Sequence, residues 1–380
     1  MIGKKPIKQI FLGILIITLF NSLSLNNIFV FCHASQLESS ATSNTLQTNT
    51  GELTLMKLGE YVSIEAMSVW VSGDLAFLAD DTNGLIILNV SDPSDPRRIK
   101  RFDDGGYALD ITSEGPYVFV ADGDNGLEIL DVSFPDAPKK KGQFYDGGFA
   151  EDVVVVGYYA FVADLTDGLE IIDLHNLSAP TEVGQYSDGS YVYGVCVAGD
   201  YAYLAAYYEG LKIINISDPS SPTKVAELPT NFIPAVDVTL KNDMAFIAND
   251  KNGLVIVDVS YPTIPVQVGH FYDKGIAQGI FVTDEYVFVA DGYDGLEVIN
   301  VTNPSNPIEL GQFDDGGNGR NVFVEGDLIY FAAGAKGLEI LRIISNDATN
   351  EGGISILPLL MTSTLCFLLV LLLKKRRQHE

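Results

Sequence analysis

From residue 55 to residue 344, apolar runs of four to seven residues alternate with short clusters of Asp, Gly, Asn and Pro. No stretch carries the 3.6-residue apolar period of an amphipathic helix, so the pattern predicts short strands joined by tight turns. The unit reads most clearly between Lys139 and Asp173. A short strand spans 140–145, and Asp146-Gly147-Gly148 makes a turn. Residues 150–156 form an apolar strand, Gly157-Tyr158 a tight turn, and residues 159–163 a third strand. Thr166-Asp167-Gly168 reads as a hairpin turn, in which Gly supplies a positive φ, and residues 169–173 form a fourth strand. Four such strands make one antiparallel meander.

The unit recurs. A Gly-Leu pair stands at Gly84, Gly126, Gly168, Gly210, Gly253, Gly295 and Gly337, at spacings of 42, 42, 42, 43, 42 and 42 residues. A period of this size fits a four-stranded propeller blade, and seven copies predict an all-β, seven-bladed β-propeller. The copies are close. Leu254-Val255-Ile256-Val257-Asp258 matches Leu127–Asp131, Leu169–Asp173 and Leu211–Asn215. The segment that follows is Asn-Val-Ser-Asp-Pro at 89–93, Asp-Val-Ser-Phe-Pro at 131–135 and Asn-Ile-Ser-Asp-Pro at 215–219. On these residues the chain resembles the LVIVD-repeat family over roughly residues 55 to 343. The resemblance implies a β-propeller carried on archaeal or bacterial surface proteins, with no common activity.

The ends of the array predict how the ring closes. It begins with an outer-type strand, Leu55 to Tyr61, and ends on Leu338 to Ile343 with no outer strand after it. The first strand is therefore expected to complete the last blade, leaving no open edge at the seam. An open solenoid would need polar capping repeats, and none is visible.

The termini place this array at a membrane. Lys4, Lys5 and Lys8 precede an apolar run from Ile10 to Phe20, and Cys32-His33-Ala34 puts small residues at −3 and −1 of a cleavage site. Residues 1–34 read as a signal peptide, with a retained signal anchor as the other reading. Residues 35–54 form a polar leader and 345–353 a stalk. Residues 354–373 are uncharged and long enough for a transmembrane helix, and the basic 374–380 tail that follows belongs on the cytoplasmic side. The propeller is thereby expected outside the cell.

Composition then narrows the function. Of 380 residues 47% are hydrophobic, which excludes a mainly disordered chain. The net charge is −27, and about −33 once the basic ends are set aside, which excludes a phosphate-binding surface and hence nucleic acid. Three cysteines make no disulfide framework, and only Cys196 lies between the two ends.

In a propeller blade the turn leading into the innermost strand and the second hairpin share one face. Here both are acidic: Asp103-Asp104, Asp146, Asp188, Asp273 and Asp314-Asp315 in the first set, Asp80-Asp81, Asp122, Asp124, Asp164, Asp167, Asp291 and Asp294 in the second. Either this face binds a divalent cation or basic partner, or the acids are there because Asp, Asn and Gly build turns. Asp122-x-Asp124-x-Gly126 resembles part of a calcium loop but lacks its later Glu, and fits a two-residue hairpin. No cofactor is called for, though a divalent cation stays open.

Sixteen residues before each Gly stand Ser68, Asp110, Asp152, Gly194, Asp237, Gly279 and Asn321, expected around the channel mouth, with each Asp capping its own loop. One residue earlier the repeat is irregular: Met67, Leu109, Glu151, Tyr193, Val236, Gln278 and Arg320. Variation inside a uniform repeat marks a position where a partner could be read. The fourth repeat replaces acids by aromatics, with Tyr191, Tyr193, Tyr207 and Tyr208, flanked by Phe149 and Phe232. Clustered exposed Tyr suits contact with peptide or sugar, and shielding of the blade edge is the other reading. The candidate partner-binding face is therefore Phe149, Glu151, Tyr191, Tyr193, Tyr207, Tyr208, Phe232, Gln278 and Arg320. Catalysis has little support: His175 and His270 are isolated, and no nucleophile elbow or phosphate loop is present. Asn89, Asn176, Asn215 and Asn300 lie in Asn-x-Ser/Thr sequons. These features point to a non-enzymatic, membrane-anchored surface module binding an extracellular protein, a glycan or the surface layer. The alternative is an extracellular hydrolase or lyase at the channel mouth, built on a carboxylate pair.

Overall fold

A computed structural model describes residues 53–229, 234–272 and 274–345. They form seven four-stranded antiparallel sheets, the blades of one propeller. From the innermost strand outward, blade one is Ser68–Ser72, Leu75–Ala79, Leu85–Asn89 and Arg97–Phe102. Blade two is Asp110–Glu114, Tyr117–Ala121, Leu127–Asp131 and Lys139–Phe144. Blade three is Asp152–Val156, Tyr159–Asp164, Gly168–Asp173 and Thr181–Tyr186. Blade four is Gly194–Ala198, Tyr201–Ala205, Leu211–Asn215 and Thr223–Leu228. Blade five is Asp237–Lys241, Met244–Ala248, Leu254–Asp258 and Val266–Phe271. Blade six is Gly279–Val282, Tyr286–Ala290, Leu296–Asn300 and Ile308–Phe313. Blade seven joins Asn321–Glu325, Leu328–Ala332 and Leu338–Ser345 to the first strand of the chain, Leu53–Tyr61.

The seam therefore closes as the strand order of the sequence predicts. Leu53 pairs with Ser345 and Tyr61 with Leu338 across an antiparallel ladder. The closing strand starts at Leu53, two residues inside the segment expected to be leader. The segments expected to be signal peptide, stalk, transmembrane helix and basic tail lie outside the described residues, apart from the last strand's end at Ser345. Among those described, no helix is long and apolar enough to cross a membrane.

The three inner strands of each blade are apolar almost throughout because both sheet faces pack on neighbouring blades. Ile171, Ile213 and Ile256 are fully buried, and the core is spread between blades rather than gathered at one centre. The outer strands are half exposed, as in Thr181–Tyr186. Each outer strand bulges at one point, for instance where Ile171 faces Gly184 and Ile172 faces Glu182. A Cβ on Gly184 would lie 2.1 Å from the Pro219 carbonyl of the next blade, so glycine lets the blades touch there. The Gly of the Gly-Leu pair has a second reason to recur. Gly126 sits at φ 74°, and a Cβ there would come within 2.3 Å of the Phe144 carbonyl.

Candidate binding face

The second hairpin of each blade and the turn leading into the next blade meet on one face, here called the top. Isolated backbone bridges fix this: Asp81 with Ala108, Gly123 with Ala150, Leu165 with Val192, Tyr207 with Ala235, Asp250 with Ala277, Gly292 with Gly319, and Ala66 with Gly334 across the seam. The two acidic turn sets are thus adjacent, as their order in the blade predicts.

Several of their carboxylates serve the turns. Asp80 accepts the Glu65 amide at 3.0 Å and the Asn83 side chain at 2.6 Å. Asp314 accepts the Gly316 amide at 2.7 Å, and Asp164 accepts the Phe149 amide. Burial pushes Asp122 up to about 7, against the pull of its Asn125 hydrogen bond. The Asp122–Gly126 segment is not a two-residue hairpin. Five residues connect the strands, closed by Asp122 N–H on the Gly126 carbonyl at 2.9 Å and Asn125 N–H on the Asp122 carbonyl at 2.9 Å.

Beneath the top lies a polar seat that recurs from blade to blade. In blade two, Lys140 of the outer strand donates to Asp104 at 2.8 Å and to Glu128 of the third strand at 2.5 Å. In blade seven, Lys57 donates to Asp315 at 2.8 Å and Glu339 at 2.6 Å, and also pairs with Glu60. Burial acts to lower Lys57, but its hydrogen bonds to Asp315, Glu339 and Glu60 outweigh this and hold it above the usual lysine range. Burial raises Glu128 and Glu339 to about 7 in spite of their lysines. Blade four inverts the arrangement. Lys212 stands on the third strand where Glu128 stands in blade two, and donates to both oxygens of Asp188 at 2.8 Å and to Ser190 at 2.7 Å. In blade one the seat is replaced by an open pocket of about 310 Å³ whose lining includes Asp80, Ile86, Arg98 and Arg101. These seats were missed in the sequence. Their signal is a Lys two residues before the outer-strand Gly, at Lys57 and Lys140, facing a Glu directly after the Gly-Leu pair, at Glu339 and Glu128.

The sequence leads to the expectation that the inner-strand residues Asp110, Asp152 and Asp237 cap their own loops. They reach across to the next blade. Asp110 Oδ2 accepts the Val153 amide at 3.2 Å, Asp152 Oδ2 the Val195 amide at 2.7 Å, and Asp237 Oδ2 the Ile280 amide at 2.9 Å. Ser68 donates to Asp110 at 2.7 Å. Gly194 and Gly279 hold the equivalent position in blades four and six, and a Cβ on Gly279 would lie 2.5 Å from the Arg320 carbonyl of the next blade.

One residue earlier, the backbone is the same in all seven blades while the side chain is not. The amides of Met67, Leu109, Glu151, Tyr193, Val236, Gln278 and Arg320 each donate to the second strand of their blade at 2.8–2.9 Å. All seven are half-buried. Arg320 is engaged with Glu65 at 2.9 Å across the seam, and burial pushes Glu151 up to about 7.

The tyrosines of blade four converge. Tyr193 and Tyr207 have ring centroids 4.9 Å apart, and Tyr207 and Tyr208 4.3 Å apart. Tyr191 and Tyr208 are 48% and 49% exposed, whereas Tyr193 is half-buried against Tyr207. Phe149 is not part of this cluster. It pairs with Tyr107, 6.1 Å away, over the hairpin glycine Gly123 of blade two. Phe232 lies outside the described residues. His175 and His270 sit on outer segments, His175 stacked on Tyr158 and hydrogen-bonded to Asp173 at 2.6 Å.

Seven consecutive matches to the LVIVD repeat cover residues 65–104, 105–146, 147–188, 189–230, 234–273, 274–315 and 316–349. The chain belongs to the LVIVD-repeat family. No curated protein matches it. Among solved structures, it is similar to the β-propeller domain of Cps50 (Swd1) from Myceliophteria thermophila, at 10% identity and a TM-score of 0.64, over 76% of this chain and 99% of that one. It is also similar to the computationally designed Ika8 protein, at 7% identity and a TM-score of 0.57, over 77% and 99% of the two chains. At these identities the likeness concerns the fold alone. A propeller of LVIVD repeats fits a protein-interaction module.

Proposed function

We propose that this chain is a membrane-anchored surface protein whose propeller binds an extracellular protein or glycan through the top of blade four. The observation that carries this reading is the convergence of Tyr191, Tyr193, Tyr207 and Tyr208 on a face that is otherwise acidic. Tyrosine combines a large apolar ring with a polar tip at low entropy cost, which suits it to partner contact. The use of the carboxylates argues for binding over hydrolysis. The inner-ring aspartates hold neighbouring strands together and the seat glutamates of blades two and seven, Glu128 and Glu339, hold lysines, so these carboxylates are committed to structure. The export signal and the span at residues 354–373 rest on their sequence pattern.

The test compares the full chain with its Tyr191→Ala/Tyr208→Ala variant, using surface extract and a glycan array as probes. Exposed aromatic anchors typically cost ~2 kcal/mol or more at an interface when truncated, so binding should fall more than tenfold. Retention of every ligand by the double variant removes this face from consideration.

A further inference from the structure

The polar seats of blades two, three, four and seven occupy equivalent positions, and three of them contain a lysine ammonium. Blade three does not. Where Lys140 stands in blade two and Lys57 in blade seven, blade three has Glu182. Where Lys212 stands in blade four, it has Glu170. Asp146, Asp164 and Glu170 each bring one carboxylate oxygen to within 4.8 Å of the other two. Glu170 is 2% exposed and its Oε1 has no hydrogen-bond partner. Among the described residues, no lysine or arginine pairs with any of the three. The turn above folds tightly onto them: the Phe149 amide donates to Asp164, and a Cβ on Gly148 would lie 2.1 Å from Asp164 Oδ1.

We propose that Asp146, Asp164 and Glu170 bind a hard divalent cation of the calcium class, which occupies in blade three the place the lysine ammonium takes in its neighbours. The donors are carboxylate oxygens without nitrogen or sulfur, which suits calcium better than zinc or copper. Calcium also accepts irregular oxygen geometry and completes its shell with water, as a seat under an exposed turn allows. The alternative occupant is a proton. Burial, the facing Asp146 and the charges of Asp164 and Glu182 push Glu170 up to about 9, and burial with Asp167 and Asp146 nearby pushes Asp164 up to about 6. A bound cation reverses the preference by favouring the ionised carboxylates.

The experiment is a calorimetric titration of the full-length chain in detergent with calcium chloride, at pH 7.5 and 150 mM sodium chloride after chelator treatment. One saturable site is expected. Glu170→Gln should weaken it at least tenfold. Glu182→Lys, which rebuilds the lysine seat of blade two, should abolish it while leaving the calcium-free melting temperature equal or higher. The second variant keeps the test valid if the first folds poorly. The proposal is overturned if the unaltered chain shows only weak, non-saturating heat, or if Glu182→Lys binds calcium as the unaltered chain does. A melting temperature at pH 7.5 that saturating calcium leaves where sodium chloride of matched ionic strength leaves it also overturns the proposal.

Discussion

The strand bodies of this propeller and the loops on its top face obey different rules. In the strand bodies the seven copies are nearly superimposable in sequence, as in Leu127–Asp131, Leu169–Asp173 and Leu254–Asp258. On the top face the same backbone carries Leu109, Glu151, Tyr193 and Arg320 at one position, and acid, lysine or tyrosine at others. A residue between two blades has its volume and polarity dictated by neighbours on both sides, so most copies repeat the last, and the buried position after the Gly-Leu pair departs from this only where it forms the seat under the top face, as at Glu128 and Lys212. A residue above the ladder needs only its amide to be regular. The difference teaches that divergence among the repeats, rather than their agreement, locates what is particular to this chain.

The comparison breaks most visibly at the seam. Removing Leu53 to Tyr61 strips the outer strand from blade seven, takes buried Leu55 from the core and exposes the edge at Leu338. The cost is expected to be about 5 kcal/mol, comparable to the whole stability of a marginal domain. Thermal melting checks it, and an unchanged melting temperature would mean the ring closes some other way.

A smaller loss should follow from the seat. Lys140→Met leaves Glu128 and Asp104 facing one another without their ammonium, for about 2 kcal/mol at pH 9. Glu128 is raised to about 7 by burial even with its lysine present, so the loss should shrink as pH falls and the carboxyl takes up a proton. Denaturant melts at pH 9 and pH 6 read the difference; equal losses at both would mean the lysine acts through packing alone.

Within the strand bodies, Asp152→Ala deprives the buried Val195 amide of its 2.7 Å acceptor. That should cost about 1.5 kcal/mol, the low end for a hydrogen bond to a charged group whose loss leaves a buried donor unpaired. The same change at an exposed turn acid, Asp314→Ala, should cost less, which denaturant melts of the two variants side by side would show. The smallest effect belongs to the top face. Tyr191→Ala/Tyr208→Ala, expected to abolish most partner binding, should shift the melting temperature hardly at all, because exposed residues contribute little to the fold. A large shift would turn these rings into packing residues and move the binding face elsewhere.

The blade count, the strand order and the closure were legible because each follows from local pattern. The Gly-Leu spacing counts the blades, and an outer-type strand at Leu55 with none after Ile343 specifies the seam. The candidate face was legible in part. Tyr207 and Tyr208 could be placed beside Tyr193 by the turn argument, but Phe149 could not be assigned to Tyr107, since which neighbouring hairpin a ring leans on depends on the angle between blades. The cross-blade bonds of Asp110, Asp152 and Asp237 were not legible for the same reason: the amides they accept lie 43 residues away, on the next inner strand.

The sequence by itself determined the architecture of this protein, because strand, turn and repeat are encoded by apolar alternation and by glycines whose φ no other residue adopts as readily. Only the tertiary structure decided the chemistry under the top face. Lys140 meets Glu128 across a ladder 12 residues away and Asp104 across a turn 36 residues away, and the repeated Lys and Glu positions show that they face one another only once the ladder is known. That Glu182 stands in the corresponding place in blade three, and leaves three carboxylates facing one another, became visible only once the register of each outer strand was known. Register is set by packing between blades, and charge becomes meaningful only when register has put it opposite a partner.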